Sequence, residues 1–472
     1  MSKLSRLARL VVVLCAACGD RPPEPSASAP EPAAPPLAPR PAAGIDLADH
    51  LAPPVRPAGG VHRHGAAAPA TLALVADRAL LHADVPTPPR GGTVAFTLPD
   101  ERAAWITAIP DGVQLPAVAY GDGRVYVSGG FESVTFYALD ARTGEIAWAT
   151  SHLEDNGPTA AVFDHGRVLF NTESCTLFAL DAKTGKRLWH RFLGDPTLAQ
   201  IAVADGLVYA AHPSPDGQEL TAYRVAGGDA VWTRMVGSEL LAAPVIAGDA
   251  VYVSTIDGLT YRFARASGAP RWVRPLHATT APWIVGDELY VSRRADGKEQ
   301  QIVASATTGA VLRVHHAATL ADDVPHDIGN WKKIWAFEGS RPVVDRGIRY
   351  DATGAQIRAT DAASGELLWA RADADAKAGR ELGSVAVAGS TIVVATRSGK
   401  VFGLDVDTGY TQWSYDLGHH VIAEPVIAKG WVYVTTEDGY VIGLHVGDDT
   451  LDGWHMFGGN AQHEGPVDSG ET

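Results

Sequence analysis

Residues able to do chemistry are few in this chain, and most have a plainer use. His62-Arg63-His64, His315-His316 and His419-His420 are pairs that could hold a metal ion, but none has an evident third ligand nearby in sequence. Asp405-Val406-Asp407 and Asp373-Ala374-Asp375 resemble pieces of a calcium loop without its Gly or its terminal Glu, and the first reads equally well as a hairpin turn. Cys175 has no neighbour in sequence that would lower its thiol pKa. Patterns for a Ser nucleophile, a zinc hydrolase, a phosphate loop or a dinucleotide fold are missing from the contexts they require. What stands out is Trp331-Lys332-Lys333-Ile334-Trp335, two aromatics flanking two cations in a chain of formal charge −15. Aromatic residues beside cations suit interface anchors, and Trp331, Lys332, Lys333 and Trp335 are the candidate partner-binding residues. No cofactor, metal or catalytic group is expected. The acid excess argues against nucleic acid as a partner.

The elements that must position these residues come in three parts: residues 1–17, 18–70 and 71–472. The first opens with Lys3, Arg6 and Arg9, followed by an apolar run from Leu10 to Ala17 that is too short to span a bilayer. Leu14-Cys15-Ala16-Ala17-Cys18-Gly19 resembles a bacterial lipobox, with Cys15 standing where the pattern has Leu. That resemblance makes Cys18 the lipidated residue and the membrane a partner through the anchor. Between Arg21 and Gly60 lie 12 of the 31 Pro residues with no apolar period, the composition of an unfolded tether.

From there to the end a single pattern recurs: an apolar segment, a Gly turn, a Val-Tyr-Val run, a second turn, then Asp-x-x-Thr-Gly-x-x-x-Trp. Tyr137 to Trp148 and Phe178 to Trp189 are the clearest copies. Trp marks fall at Trp105, Trp148, Trp189, Trp232, Trp272, Trp369, Trp413 and Trp454, with Arg313 replacing Trp in one degenerate copy. The period stays at 40–44 residues except for 56 between Arg313 and Trp369, where the Trp331–Trp335 segment is inserted. β-branched and aromatic runs suit a pleated surface, Asp and Gly close the hairpin, and a wide indole can wedge between neighbouring sheets. Units of four strands at this period make a β-propeller. The fold class is therefore all-β: an eight-bladed β-propeller of four-stranded antiparallel blades. Trp105, Trp148, Trp189, Trp232, Trp272, Trp369 and Trp413 are its docking residues. The eighth blade should take three strands from Val421–Val446 and its outer strand from Ala103–Ala108. Leu72–Trp105 also resembles a whole unit, but nine blades would exceed the usual range, so its extra strands should pack outside the ring.

The Ala-Leu-Asp-Ala-x-Thr-Gly-x-x-x-Trp runs resemble the tryptophan-docking repeat of the pyrroloquinoline quinone (PQQ)-like propellers. That family includes quinoprotein dehydrogenases and a lipoprotein of the outer-membrane barrel-assembly machinery. The enzyme branch implies an adjacent Cys-Cys pair and a calcium site, and this chain, with three Cys in all, has no adjacent pair. The resemblance to the lipoprotein implies a non-catalytic scaffold that binds envelope proteins, barrel-assembly subunits among them, at the outer membrane and facing the periplasm. The alternatives are a PQQ-dependent quinoprotein oxidoreductase and a propeller that binds envelope glycan.

Overall fold

The computed structural model describes residues 71–73, 81–130, 133–151, 153, 155–172, 176–194, 199–319, 342–353, 356–372 and 382–465. Among them every regular element is a β-strand, and the strands form eight sheets. Seven blades are continuous in sequence: 119–150, 162–192, 202–236, 245–274, 283–319, 343–372 and 382–416, numbered 1 to 7. Within each, the chain steps from a first strand to a fourth through antiparallel neighbours. First strands of successive blades, such as 119–121, 162–164 and 202–204, approach one another and line the axis.

Blade 8 joins the two ends of the ring. Its strands 426–428, 431–435 and 440–445 come from the C-terminal side, and Ala103–Ala108 supplies the outer strand, with Trp105 opposite Gly443. Closing a ring with strands from both termini leaves no open blade at the junction. The unit-like stretch before Trp105 makes no ninth blade. Its strands instead become fifth, outermost strands: Thr93–Thr97 antiparallel on blade 8, Leu81–His82 parallel on blade 7, and Thr71–Ala73 parallel on blade 6.

Local structure follows from the repeat. Second strands such as Arg124–Ser128 and Ala250–Ser254 are buried almost throughout, which is why they read Val-Tyr-Val. At the turn to the outer strand, Asp140 Oδ1 accepts the backbone N–H groups of Arg142 and Thr143, each at 2.9 Å. Asp405 does the same for Asp407 and Thr408, so the Asp405-Val406-Asp407 run is a hairpin turn. Gly144 has φ +73°, and a Cβ there would lie 2.3 Å from the Trp105 ring. Turn geometry and the approach of the neighbouring blade's indole both exclude a side chain at that position. In each of blades 1 to 7 the third and fourth strands slip register just before the Trp position (Ala138 faces Trp148, Leu139 faces Ile146). The bulge leaves the preceding residue unpaired and turns the Trp onto the next blade.

Trp454 is the one regularly spaced Trp without this role. It lies on no outer strand but in the C-terminal segment, paired with Ile427.

Candidate functional site

Six blade junctions are made by a small set of donors aimed at one turn of the next blade. Indole Nε1 of Trp105 donates to the Ala141 carbonyl at 3.2 Å, Trp148 to Ala182 at 3.0 Å, Trp189 to Val225 at 2.8 Å and Trp232 to Arg265 at 2.9 Å. Trp272 donates to Ala306 and Trp369 to Val406, each at 3.0 Å. Trp413 occupies the same register on blade 7, opposite Gly403.

Two further donors at the junctions escaped the sequence reading. The Tyr of the second strand shares the Trp acceptor in four blades: Tyr126 with Trp148, Tyr252 with Trp272, Tyr350 with Trp369, and Tyr433 with Trp105. Burial pushes the Tyr126 phenol up to about 12 and raises those of Tyr252, Tyr350 and Tyr433, so all four stay protonated donors. The residue two past the Trp is the other. Thr107, Thr150, Arg191, Arg234 and Arg371 donate to the carbonyl of the turn Gly in the next blade, and Arg274 to Thr308 just before that Gly. A Trp-x-Arg or Trp-x-Thr pattern was the available signal. Arg on the outer strands of an acidic chain is thus largely an internal staple.

The junction between blades 5 and 6 is built differently. Arg313 sits in the Trp register, opposite Val303, but turns back to its own blade and binds Glu288 at 2.7 Å. Glu288 also accepts the Tyr290 hydroxyl at 2.5 Å. The turn glycine of blade 6, Gly365, faces the His315 imidazole instead of an indole. Burial first, then Arg313 and Arg349, hold His315 below the usual histidine range, so its ring is the neutral form. Deeper in, Arg349 and Asp351 form an ion pair at 3.0 Å with both side chains 1% exposed. Arg349 reaches across to Ser292 of blade 5 at 2.8 Å, and Gln301 of blade 5 donates to Asp351 at 2.8 Å. Fully buried Glu299 lies in the same cluster. Burial first and Asp351 second push its carboxyl up, with Arg294 and Arg349 opposing. An ionic seam here replaces the indole staple. Arg313→Ala is expected to change unfolding free energy by less than about 1 kcal/mol, since the Arg313–Glu288 pair is partly solvated and Tyr290 still binds Glu288. Urea denaturation of the two proteins checks it.

The channel is occupied by the chain itself. After blade 8, residues 451–465 turn inward and follow the free inner edges of the first strands. Trp454 pairs with Ile427. The carbonyls of His455, Ala461 and Gln462 accept the N–H groups of Tyr120 at 2.7 Å, Val203 at 2.8 Å and Ile246 at 3.0 Å, in blades 1, 3 and 4. Trp454, fully buried, stacks on Trp283 of blade 5 with 5.9 Å between centroids. Phe457 packs among Ala117, Ala160, Ala243 and Ala423, small residues just ahead of the first strands of blades 1, 2, 4 and 8. Gly459, φ +94°, lets the segment fold back on itself, because a Cβ there would sit 2.3 Å from the Gly465 carbonyl oxygen. Asp452 ties the entrance together by binding Lys429 and His455.

Other residues singled out by sequence fall elsewhere. His419 binds Asp438 at 2.8 Å and His420 lies 3.4 Å from Glu437, each in a local pair. Among the described residues no group of three His, Cys, Asp or Glu is placed to hold a metal ion. Cys18, His62, His64, Cys175, Trp331, Lys332, Lys333, Trp335, Asp373 and Asp375 lie outside the described residues. The strands either side of the Trp331–Trp335 segment in sequence are Val311–Thr319, the outer strand of blade 5, and Val343–Asp345, the first strand of blade 6.

A family model described as outer membrane protein assembly factor BamB matches residues 90–314 and 353–463, and its gap falls on the inserted segment. The protein of that name from Salmonella typhimurium is 33% identical over 112 residues, 23% of this chain and 26% of that protein. The match therefore spans about a quarter of the curated relative's length, 26%. The crystal structure of BamB from Moraxella catarrhalis superposes with a TM-score of 0.54 at 19% identity, covering 75% of this chain and 98% of that one. A quinohemoprotein alcohol dehydrogenase from Comamonas testosteroni gives 0.50 at 15% identity, covering 72% of this chain and 75% of that one. At such identities the structural likenesses speak to the fold alone.

Proposed function

The chain belongs to the outer membrane protein assembly factor BamB family of PQQ-like propellers, and from that membership we propose a non-catalytic scaffold of the bacterial cell envelope. It is anchored by lipid on Cys18, faces the periplasm from the outer membrane and binds proteins that assemble other proteins there. Residues 1–17 are its signal, 18–70 its tether and 71–472 its working ring.

The observation that carries this reading is Phe457 on the axis. A propeller that binds a small molecule in its channel needs that space, and here the chain's own tail takes it up with backbone hydrogen bonds to blades 1, 3, 4 and 8. A quinone seated there would first have to displace Phe457. Many of the polar side chains at the blade junctions are likewise spent on the neighbouring blade. That leaves the outer surface, and Trp331, Lys332, Lys333 and Trp335 are the residues we assign to partner contact. In sequence they fall between blades 5 and 6, next to the repeat in which Arg313 takes the Trp position, and loops on a rigid ring are where binding residues concentrate.

The anchor is tested by fractionation. Wild-type protein should sediment with membranes, and Cys18→Ser should appear in the soluble periplasmic fraction. Anchoring by several acyl chains is near-permanent, so the shift should be almost complete. Equal membrane retention of the two proteins would overturn it.

A further inference from the structure

The outer edges of blades 6, 7 and 8 are each covered by a fifth strand from the N-terminal side of the chain: Thr71–Ala73 and Leu81–His82 parallel, Thr93–Thr97 antiparallel. An outer edge of this ring thus accepts an extended segment in either direction. Among the described residues blades 1 to 5 carry four strands and no such cover. Of their outer strands, Arg187–Phe192 of blade 2 is the most open to solvent, with every residue but Trp189 exposed. Leu188 is 46% exposed and Phe192 72%, more than any other large apolar side chain among the described residues.

Backbone and side chains together decide what this edge can take. An outermost strand leaves alternate N–H and C=O groups pointing away from the sheet. Trp189 and Arg191 turn to blade 3, where they donate to the Val225 and Gly228 carbonyls. His190 and Phe192 alternate with them on the other face, with His190 stacked on Phe178 of its own blade. Lys183, Lys186, Arg187 and Arg191 are all exposed, and no acidic residue occurs from Ala182 to Gly194, in a chain of formal charge −15. Cations blunt an edge against neutral or basic strands. A second copy of the same edge would set Lys and Arg against Lys and Arg, which is destabilising. A strand bearing carboxylates meets attraction instead, and aliphatic residues at its alternate positions cover Phe192.

We infer that Arg187–Phe192 binds an extended peptide segment of alternating acidic and aliphatic residues, which joins blade 2 as a fifth strand. The register follows from blades 6 and 7, where Leu72 lies opposite Arg371 and Leu81 opposite Tyr415, each two residues past the docking Trp. On blade 2 that position is Arg191. A parallel segment is centred there, with its carboxylates on the Arg191 face and its aliphatic side chains on the Phe192 face. The inference rests on the edge itself and not on a role in outer-membrane assembly, so either can fail without the other.

A fluorescent peptide of repeating Glu-Val, titrated into the unanchored Cys18→Ser chain and read by anisotropy, tests it. Binding should saturate and should weaken about tenfold with Phe192→Ser, as an apolar contact is lost. Adding Lys183→Glu and Lys186→Glu should weaken it further, and a peptide of repeating Lys-Val should not bind. Phe192 is mostly exposed, so an unchanged melting temperature is expected and would show that the variant ring is intact. With the Glu-Val peptide bound, amides of 187–192 should exchange about tenfold more slowly. Those of Ala103–Ala108, already under a fifth strand, should not change. Equal binding by the wild-type edge and its variants, or unchanged exchange of 187–192, would overturn the inference. Sedimentation with phosphatidylglycerol vesicles that Phe192→Ser abolishes, in a chain that fails to bind the peptide, would also overturn it and make the surface a membrane contact.

Discussion

Trp105→Ala lowers the unfolding free energy by about 3–5 kcal/mol, the range for truncating a buried aromatic residue. The side chain is 1% exposed, and its indole donates to the Ala141 carbonyl that Tyr433 also uses. Its position raises the stakes. Trp105 is on the strand that joins the N-terminal chain to the C-terminal blade, opposite Gly443 and against Gly144 of blade 1. One substitution loosens both the closing sheet and the first junction. Trp148, partly exposed and within an unbroken blade, should cost less when changed to Ala. Chemical denaturation of both variants gives the comparison. Equal midpoints would mean that ring closure adds nothing to the Trp105 site.

Ending the chain after Gly453 has the largest expected effect. The truncation removes fully buried Trp454 together with Met456 and Phe457, which are 5% and 6% exposed. Burying each such side chain contributes about 1.5–3 kcal/mol, and the three hydrogen bonds to Tyr120, Val203 and Ile246 are lost with them. The melting temperature should fall below that of any single docking-Trp variant. The channel should also open, which a second measurement reads directly. In an Ala243→Cys background, a thiol reagent should label residue 243 in the truncated ring and leave it unlabelled when the tail is present. Ala243 is 3% exposed beneath Phe457, so protection in both proteins would contradict a tail-filled channel.

Blade architecture was legible in the sequence because its parts repeat. A Val-Tyr-Val run, an Asp-x-x-Thr-Gly turn and a Trp every 40–44 residues fix strand, hairpin and docking position together, and the closure of blade 8 by Ala103–Ala108 follows from counting them. Trp454 keeps the interval yet belongs to the tail packed on the ring, as its segment reads in the sequence, because periodicity records distance along the chain and not which strand carries the residue. The staple two residues past the Trp in six blades was written as Arg or Thr, side chains of different size that share only a donor, so no single letter repeated. The ionic seam was half legible. Arg313 in a Trp position marked the gap, but the Arg349–Asp351 pair that fills it lies on one strand and is satisfied by Ser292 and Gln301 from another blade. That this tail fills the channel had no sequence signal, since the partners of Phe457 are single Ala residues from four different blades.

The central claim is that this ring works through its outer surface on other envelope proteins, its channel being taken by its own tail. Crosslinking in intact cells, followed by purification of the lipidated full chain from membranes, tests this most directly. Subunits of the outer-membrane barrel-assembly machinery should be recovered with the wild-type protein and markedly less with the Trp331→Ala, Trp335→Ala double variant. Recovery of the protein without any such subunit, from cells in which it is membrane-bound and folded, would contradict the account.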